Sequence, residues 1–221
     1  KSSMASQKKM LLDFTDKSDF AYGIYRNKSN IIAIFNEEEQ IDETEEDAYV
    51  AVARTCFYAE QGGQVSDTGM IIGSNFKARV IDVFKGPNGQ HIHKVRLLDG
   101  KITKGDECEL VIDKEERKRT EANHSSVHIL QYSLQQVISD TIHQAGSYVD
   151  SERLRFDFSY SGKISEEKLL EVEQFANNMI SKNLIVSTEI MPLDKAKQLG
   201  AMALFSEKYG DTVRVVKIGK S

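Results

Sequence analysis

The 221-residue chain contains no apolar run near the roughly 20 residues needed to cross a bilayer, so no membrane-spanning helix is expected. Its opening, KSSMASQKKM, is polar and lacks the apolar core of a signal peptide. Cysteine is scarce: Cys56 and Cys108 stand alone without a pairing pattern, which excludes a disulfide framework and fits a reducing compartment. Positive charge is in the minority, 29 basic against 34 acidic side chains for a net charge of −5, and this disfavours a general nucleic-acid binder. A nucleic-acid partner would have to be met by a local patch, for which 114–119, KEERKR, is the best candidate. A solvated helix face, with Glu115 and Arg119 as an i,i+4 pair, is the simpler reading of that run. A phosphate-binding P-loop is missing too, because Arg214 occupies the place where the closing Gly219-Lys220-Ser221 would need an earlier glycine.

The chain does have an ordered succession of elements. Residues 1–12 could be the tail of a linker helix. Short β-rich runs follow at 31–35, 48–55, 70–72, 76–84, 91–98 and 107–112, punctuated by glycines, which predicts a small barrel or sandwich. His91 and His93 share one side of their strand and are expected to be exposed. From 114 the elements lengthen into a helix to about 139, two strands, and a second helix capped by Ser165. Leu169, Val172, Ala176, Met179 and Ile180 are expected to make that helix's buried stripe. A strand at 185–191, a short helix ending at Gly200 and a strand at 212–218 complete the series. The expected fold class is α+β. A linker at 1–19 leads to a β-rich, barrel-like subdomain at 20–113, then to an α+β subdomain at 114–221 with two long helices on an antiparallel sheet.

The chemistry concentrates on the first long helix. His124 and His128 are four residues apart, so both imidazoles project from one face and can share a transition metal, most often zinc. Val127, Leu130, Leu134 and Val137 recur at helical spacing behind them. Ser125 stands where a zinc protease carries its general base, and the other candidate ligands, His91, His93, His143, Cys56 and Cys108, have no recognisable ligand spacing. On spacing alone, a metal pair and an ordinary structural pair both remain open. Gln61-Gly62-Gly63-Gln64 is most simply a tight turn, and Gln144-Ala145-Gly146-Ser147 a polar hinge before the alternating strand at 154–160.

Five blocks together carry a resemblance: FYAEQGGQVSDTG at 57–69, NHSSVHIL at 123–130, QAGSYV at 144–149, RLRFDFSY at 153–160 and GAMALFSEKYGDTVRVVKIG at 200–219. In this order, over almost the whole chain, they resemble the editing domain of alanyl-tRNA synthetase and its free-standing relatives. The resemblance implies hydrolysis of serine or glycine wrongly esterified to the acceptor end of tRNA for alanine. It implies zinc held by His124 and His128 with a later Cys and His from a CGGTH block; the chain stops at Ser221 before any such block, so it looks like a fragment with two of four expected ligands and a weak or empty site.

Gln61, Gly62, Gly63, Gln64 and Asp67 match the family loop that lies against the editing pocket, although Ser66 replaces a common glycine. Gln144 matches a position tied to editing, Arg155 falls in the matching strand, and Val127 stands where the family often has threonine. The implied catalytic set is Gln144, Gln64, Gly62 and Gly63, with Val127, Gln61, Asp67 and Arg155 binding substrate. ATP and magnesium would belong to a separate aminoacylation domain of a parent ligase, cytoplasmic or organellar, whose other domains are partners. The alternatives are an editing-inactive tRNA-binding or interdomain module and a generic zinc-dependent esterase.

Overall fold

The structure, a computed structural model, describes residue 9, residues 11–201 and residues 210–219. It divides into two compact units, 1–121 with 150–152, and 122–149 with 153–221. The division falls within the histidine helix.

The first unit is built on an antiparallel sheet of β2 (Arg26–Phe35), β3 (Gln40–Ile41), β5 (Ala48–Val52), β7 (Gly69–Gly73), β8 (Phe76–Lys85), β9 (His91–Gly100) and β11 (Glu107–Ile112). Its order is β11-β7-β8-β9-β5-β2-β3, and β11 also pairs with β2, from Glu107 opposite Asn30 to Val111 opposite Arg26. That extra pairing closes six strands into a barrel and leaves no free edge between them. Two-residue strands complete the unit: β1 (Asp19–Phe20) beside β6 (Arg54–Thr55), and β4 (Glu43–Thr44) beside β10 (Ile102–Thr103).

Alternation decides what the barrel encloses. Ile34, Val50, Val52, Ala78, Val80, Val95 and Leu110 belong to one buried cluster fed by most of the strands, the barrel interior. Phe35, Tyr49, Ala51 and Ile92 point the other way and are covered by Leu11 and Phe14. Residues 11–14, read from sequence as linker, therefore lie against the barrel. Asn88 Nδ2 donates to the carbonyls of Leu12 (3.0 Å) and Phe14 (2.9 Å), and buried Gln90 donates to those of Leu11 and Phe14. Strand β9 is thus buried on both faces at its start. His91 and His93, expected to be exposed, are instead 2% and 0% exposed.

The second unit takes most of α1 (Lys114–Val137), then β12 (Gln144–Val149), β13 (Leu154–Phe158), α2 (Glu166–Ser181), β14 (Val186–Pro192), α3 (Leu193–Gln198) and β15 (Thr212–Ile218). The α+β class is as expected, with the strands arranged as two antiparallel ribbons, β12–β13 and β14–β15. The segment read as a polar hinge at 144–147 is part of β12, and the register shifts between Gln144 and Gly146. Leu134, Ile142 and Val172 form the core of this unit, with Leu130, Val137, Phe156 and Phe158 packed around them.

Ser165 caps α2 by accepting the Lys168 N–H at 3.3 Å. The stripe expected on that helix is only partly covered: Val172 is buried, whereas Leu169 and Ile180 are 50% and 51% exposed. Leu169, Val172 and Ala176 instead line an apolar groove of about 400 Å³ with Leu130, Leu134 and Phe158. Within the family-like block at 200–219, residues 202–209 lie outside the described residues, as do residues 1–8 and 10 of the expected linker helix and Lys220 and Ser221 at the close.

Candidate functional site

Helix α1 begins where Asp113 accepts the Glu116 N–H through Oδ1 at 3.2 Å, an N-cap arrangement that satisfies one of the helix's free donors. Its central turns present His124 and His128, both half-buried. Their ring centroids are 5.4 Å apart with 27° between the planes. Burial lowers the pKa of both; the charge of Arg214 lowers His124 further, and His124 does the same to His128. Each ring is therefore neutral at pH 7 and carries a nitrogen lone pair, the form that binds a metal.

The ring spacing suits a shared ion. With Zn–N bonds of about 2.0–2.1 Å and tetrahedral angles, two imidazole centroids around one zinc lie about 5 Å apart. Among the described residues, however, no group of three or more His, Cys, Asp or Glu side chains is placed to hold a metal. The pair fits as half of a tetrahedral donor set and not as a complete one. Val127, between the histidines, is 3% exposed.

The remaining residues singled out from sequence fall in two groups. Gln144 and Arg155 lie on β12 and β13. Gln144 pairs in register with Phe158, and its Nε2 donates to Ser147 Oγ at 2.8 Å. Arg155 is exposed and reaches Asp157 at 3.1 Å along the same face of its strand. Gln61, Gly62, Gly63, Gln64 and Asp67 belong to the barrel unit.

There Gln61 and Gln64 exchange backbone hydrogen bonds at 3.3 and 3.1 Å, and Gly62 and Gly63 between them have φ of 61° and 82°. Two successive residues at positive φ in a two-residue hairpin are the signature of a type I′ turn, which favours glycine. Gln64 is buried and Gln61 exposed. Asp67 is buried and engaged within its own unit. Its carboxylate accepts from Tyr58 N–H at 2.7 Å, from Arg117 Nε at 2.7 Å and from Arg117 Nη2.

Arg117 was not singled out from sequence except as part of the 114–119 run, and it is not available to an external anion. Its side chain is 1% exposed, its guanidinium also meets the Cys56 carbonyl at 3.4 Å, and it lies 5.6 Å from the Tyr22 ring centroid. Lys114 sits over the Tyr25 ring at 5.0 Å, and Lys118 is 3.8 Å from Glu115. The KEERKR run is thus divided between an internal ion pair and an exposed face. Cys56 and Cys108 are free and buried, with burial raising their thiols to about 11 and about 12. Both are inert at neutral pH.

The chain belongs to the family described as tRNA synthetases class II (A), whose model matches residues 1–116. More particularly, it is similar to alanine–tRNA ligases: 42% identical to that of Listeria innocua over 221 residues, 99% of this chain and 25% of that protein. The alanine–tRNA ligases of Geobacillus thermodenitrificans and Lysinibacillus sphaericus are 41% and 40% identical over 220 residues, 98% of this chain and 25% and 24% of theirs. The chain spans about a quarter of the length of the curated relatives it matches. No helix among the described residues is long and apolar enough to cross a membrane.

Proposed function

We propose that this chain is the editing region of a cytoplasmic alanine–tRNA ligase, hydrolysing the ester that joins serine or glycine to tRNA for alanine. The observation that carries this reading is the pair of half-buried imidazoles 5.4 Å apart on one helix face, within a chain 42% identical to an alanine–tRNA ligase. Ligation of alanine, with ATP and magnesium, falls in this reading to other domains of the ligase, and the acceptor end of the tRNA is the shared partner.

The physical need for a second site is clear. A binding pocket discriminates poorly against a substrate that is smaller, as glycine is, or that adds only a hydroxyl, as serine does. His124 and His128 would hold zinc as two of its ligands, with the remaining donors coming from outside the described residues. Zinc bound there would supply Lewis-acid polarisation of an attacking water or of the ester. The protein's own part is to keep both imidazoles unprotonated and oriented, which burial and the Arg214 charge favour. The Gln144 amide is proposed to hydrogen-bond the substrate, exchanging its bond to Ser147. Arg155 is a further candidate contact on the adjacent strand. In the barrel unit, where Asp67 fixes its flank through Arg117, the Gln61–Gln64 turn is proposed as a separate contact for the tRNA substrate.

The test is release of amino acid from seryl- and glycyl-tRNA for alanine by the full-length ligase, compared with free seryl and glycyl esters. Hydrolysis that requires the tRNA supports editing. Equal turnover of free esters would make the site a general esterase, and no hydrolysis of either would leave a binding module.

A further inference from the structure

Helix α1 turns an unusually polar stripe inward. Arg117, Thr120, Val127, Gln131 and Leu134 are buried, and half-buried His124 fills the step between Thr120 and Val127. The spacing of three and four residues traces one continuous face. The polar members of the stripe are mostly satisfied: Arg117 by Asp67, Thr120 by the Glu116 carbonyl at 3.0 Å. Gln131 is the exception. Its side chain is buried at 3% exposure, and among the described residues its Oε1 accepts no hydrogen bond.

Among the described residues, the other buried side-chain oxygen without a partner is Asn27 Oδ1. Asn27 is anchored by its amide nitrogen, which donates to the carbonyls of Lys28 and Arg54 at 3.0 Å each. Among the described residues, no such bond anchors the Gln131 side chain. A buried carbonyl oxygen with nothing bonded to it has lost its water and gained nothing, so a folded protein seldom keeps one without a use for it.

Its position says what that use is. Gln131 is seven residues after His124, about 20° short of two full helical turns, and three after His128. Helical side chains lean towards the N-terminus, so Gln131 extends over the turn that carries Val127 and His128. The unpaired acceptor thus shares a face with the two metal-binding candidates.

We propose that Gln131 is a substrate-binding residue of the editing site, its carboxamide oxygen accepting a hydrogen bond from the α-ammonium group of the aminoacyl ester. This rests on the editing reading above. The ammonium is a charged donor common to seryl and glycyl esters, and a bond from a charged donor is stronger than a neutral one. A neutral amide accepts it without placing a carboxylate beside the imidazoles that would hold a cation.

The experiment uses the full-length ligase with Gln131→Met, which keeps the length of the side chain and removes the oxygen, and Gln131→Glu, which restores an acceptor. The probes are non-hydrolysable 3′-amide analogues of seryl- and glycyl-adenosine. Gln131→Met should weaken both analogues on the order of tenfold, Gln131→Glu should recover binding, and the melting temperature of the free Gln131→Met protein should equal or exceed that of wild type. Loss confined to the seryl analogue would move the contact to the serine hydroxyl and overturn the ammonium assignment. A lowered melting temperature with unchanged binding would show a structural role and overturn the proposal while leaving the site reading intact. Wild-type protein that binds neither analogue and releases no serine from its tRNA would overturn both.

Discussion

Arg117 and Asp67 form a two-point ion pair from which water is almost wholly excluded. Nε donates to Oδ1 at 2.7 Å and Nη2 donates to Oδ2, with the side chains 1% and 5% exposed. Burial alone would lower the arginine pKa, but the hydrogen bond and charge of Asp67, with help from Glu121 and Tyr22, more than reverse this and raise it. Asp67 also holds the Tyr58 N–H, so one carboxylate ties the start of α1 to the segment around the Gly-Gly turn.

Removing one partner strands the other as a buried charge. Asp67→Asn or Arg117→Met should each destabilise the protein by about 3–5 kcal/mol, as measured by urea unfolding. The double variant should cost clearly less than the sum, because neither charge is then left alone. Strict additivity would show that the two groups do not depend on each other.

The pH dependence of stability should come largely from the barrel. His93 accepts from Thr55 Oγ1 through Nε2 at 2.8 Å and donates from Nδ1 to the Val50 carbonyl at 3.0 Å, a fully satisfied neutral ring. Burial, only partly opposed by that carbonyl, lowers its pKa to about 4; burial, then Lys85 and His93, lowers His91 to about 3. The unfolded chain binds these protons near pH 6.5 and the folded chain does not, so stability present above that pH is lost as pH falls. The loss approaches about 1.4 kcal/mol per pH unit for each histidine. Urea midpoints between pH 7 and 5 should fall accordingly, and His91→Gln with His93→Gln should flatten the slope. An unchanged slope in that variant would place the titration elsewhere.

The Gly62-Gly63 turn gives a prediction of different size for two substitutions. Alanine at either position is forced into the left-handed region and should cost about 1–2 kcal/mol. Asparagine, which that turn type accepts, should cost much less. Thermal melts of Gly62→Ala and Gly62→Asn distinguish the two; equal losses would mean that something other than φ requires glycine.

These cases show what could be read from the sequence. The barrel strands were legible to within a few residues because β8 and β11 alternate cleanly, and α1 because Val127, Leu130, Leu134 and Val137 keep helical spacing. The burial of His91 and His93 was not legible. Alternation shows that two residues share a face, but it cannot show that closing β11 onto β2 encloses that face or that Leu11 and Phe14 cover the other. The covered stripe expected on α2 failed for a similar reason, since spacing gives the apolar face and not how much of it is packed. The histidine pair was visible as HxxxH. Gln131 carries a weaker signal, a polar residue seven positions after His124 on the same face. Arg117 was hidden among other charges in KEERKR, with nothing local to indicate a partner 50 residues earlier.

Val127 supplies a prediction specific to the proposed chemistry. Val127→Thr changes volume little, and its hydroxyl can bond back to the carbonyl one turn earlier when no substrate is present. If the hydroxyl reaches serine it adds about 0.5–1.5 kcal/mol, or about two- to tenfold in hydrolysis of the seryl ester. The glycyl ester should gain little. Equal gains, or equal losses with intact folding, would assign position 127 to packing.

The central claim is that the His124–His128 face performs editing and not ligation. In the full-length ligase, His124→Ala with His128→Ala should reduce release of serine from seryl-tRNA for alanine to the uncatalysed rate, while charging of that tRNA with alanine continues as in wild type. Undiminished release of serine by the double variant, or equal loss of both activities in a folded protein, would contradict the account.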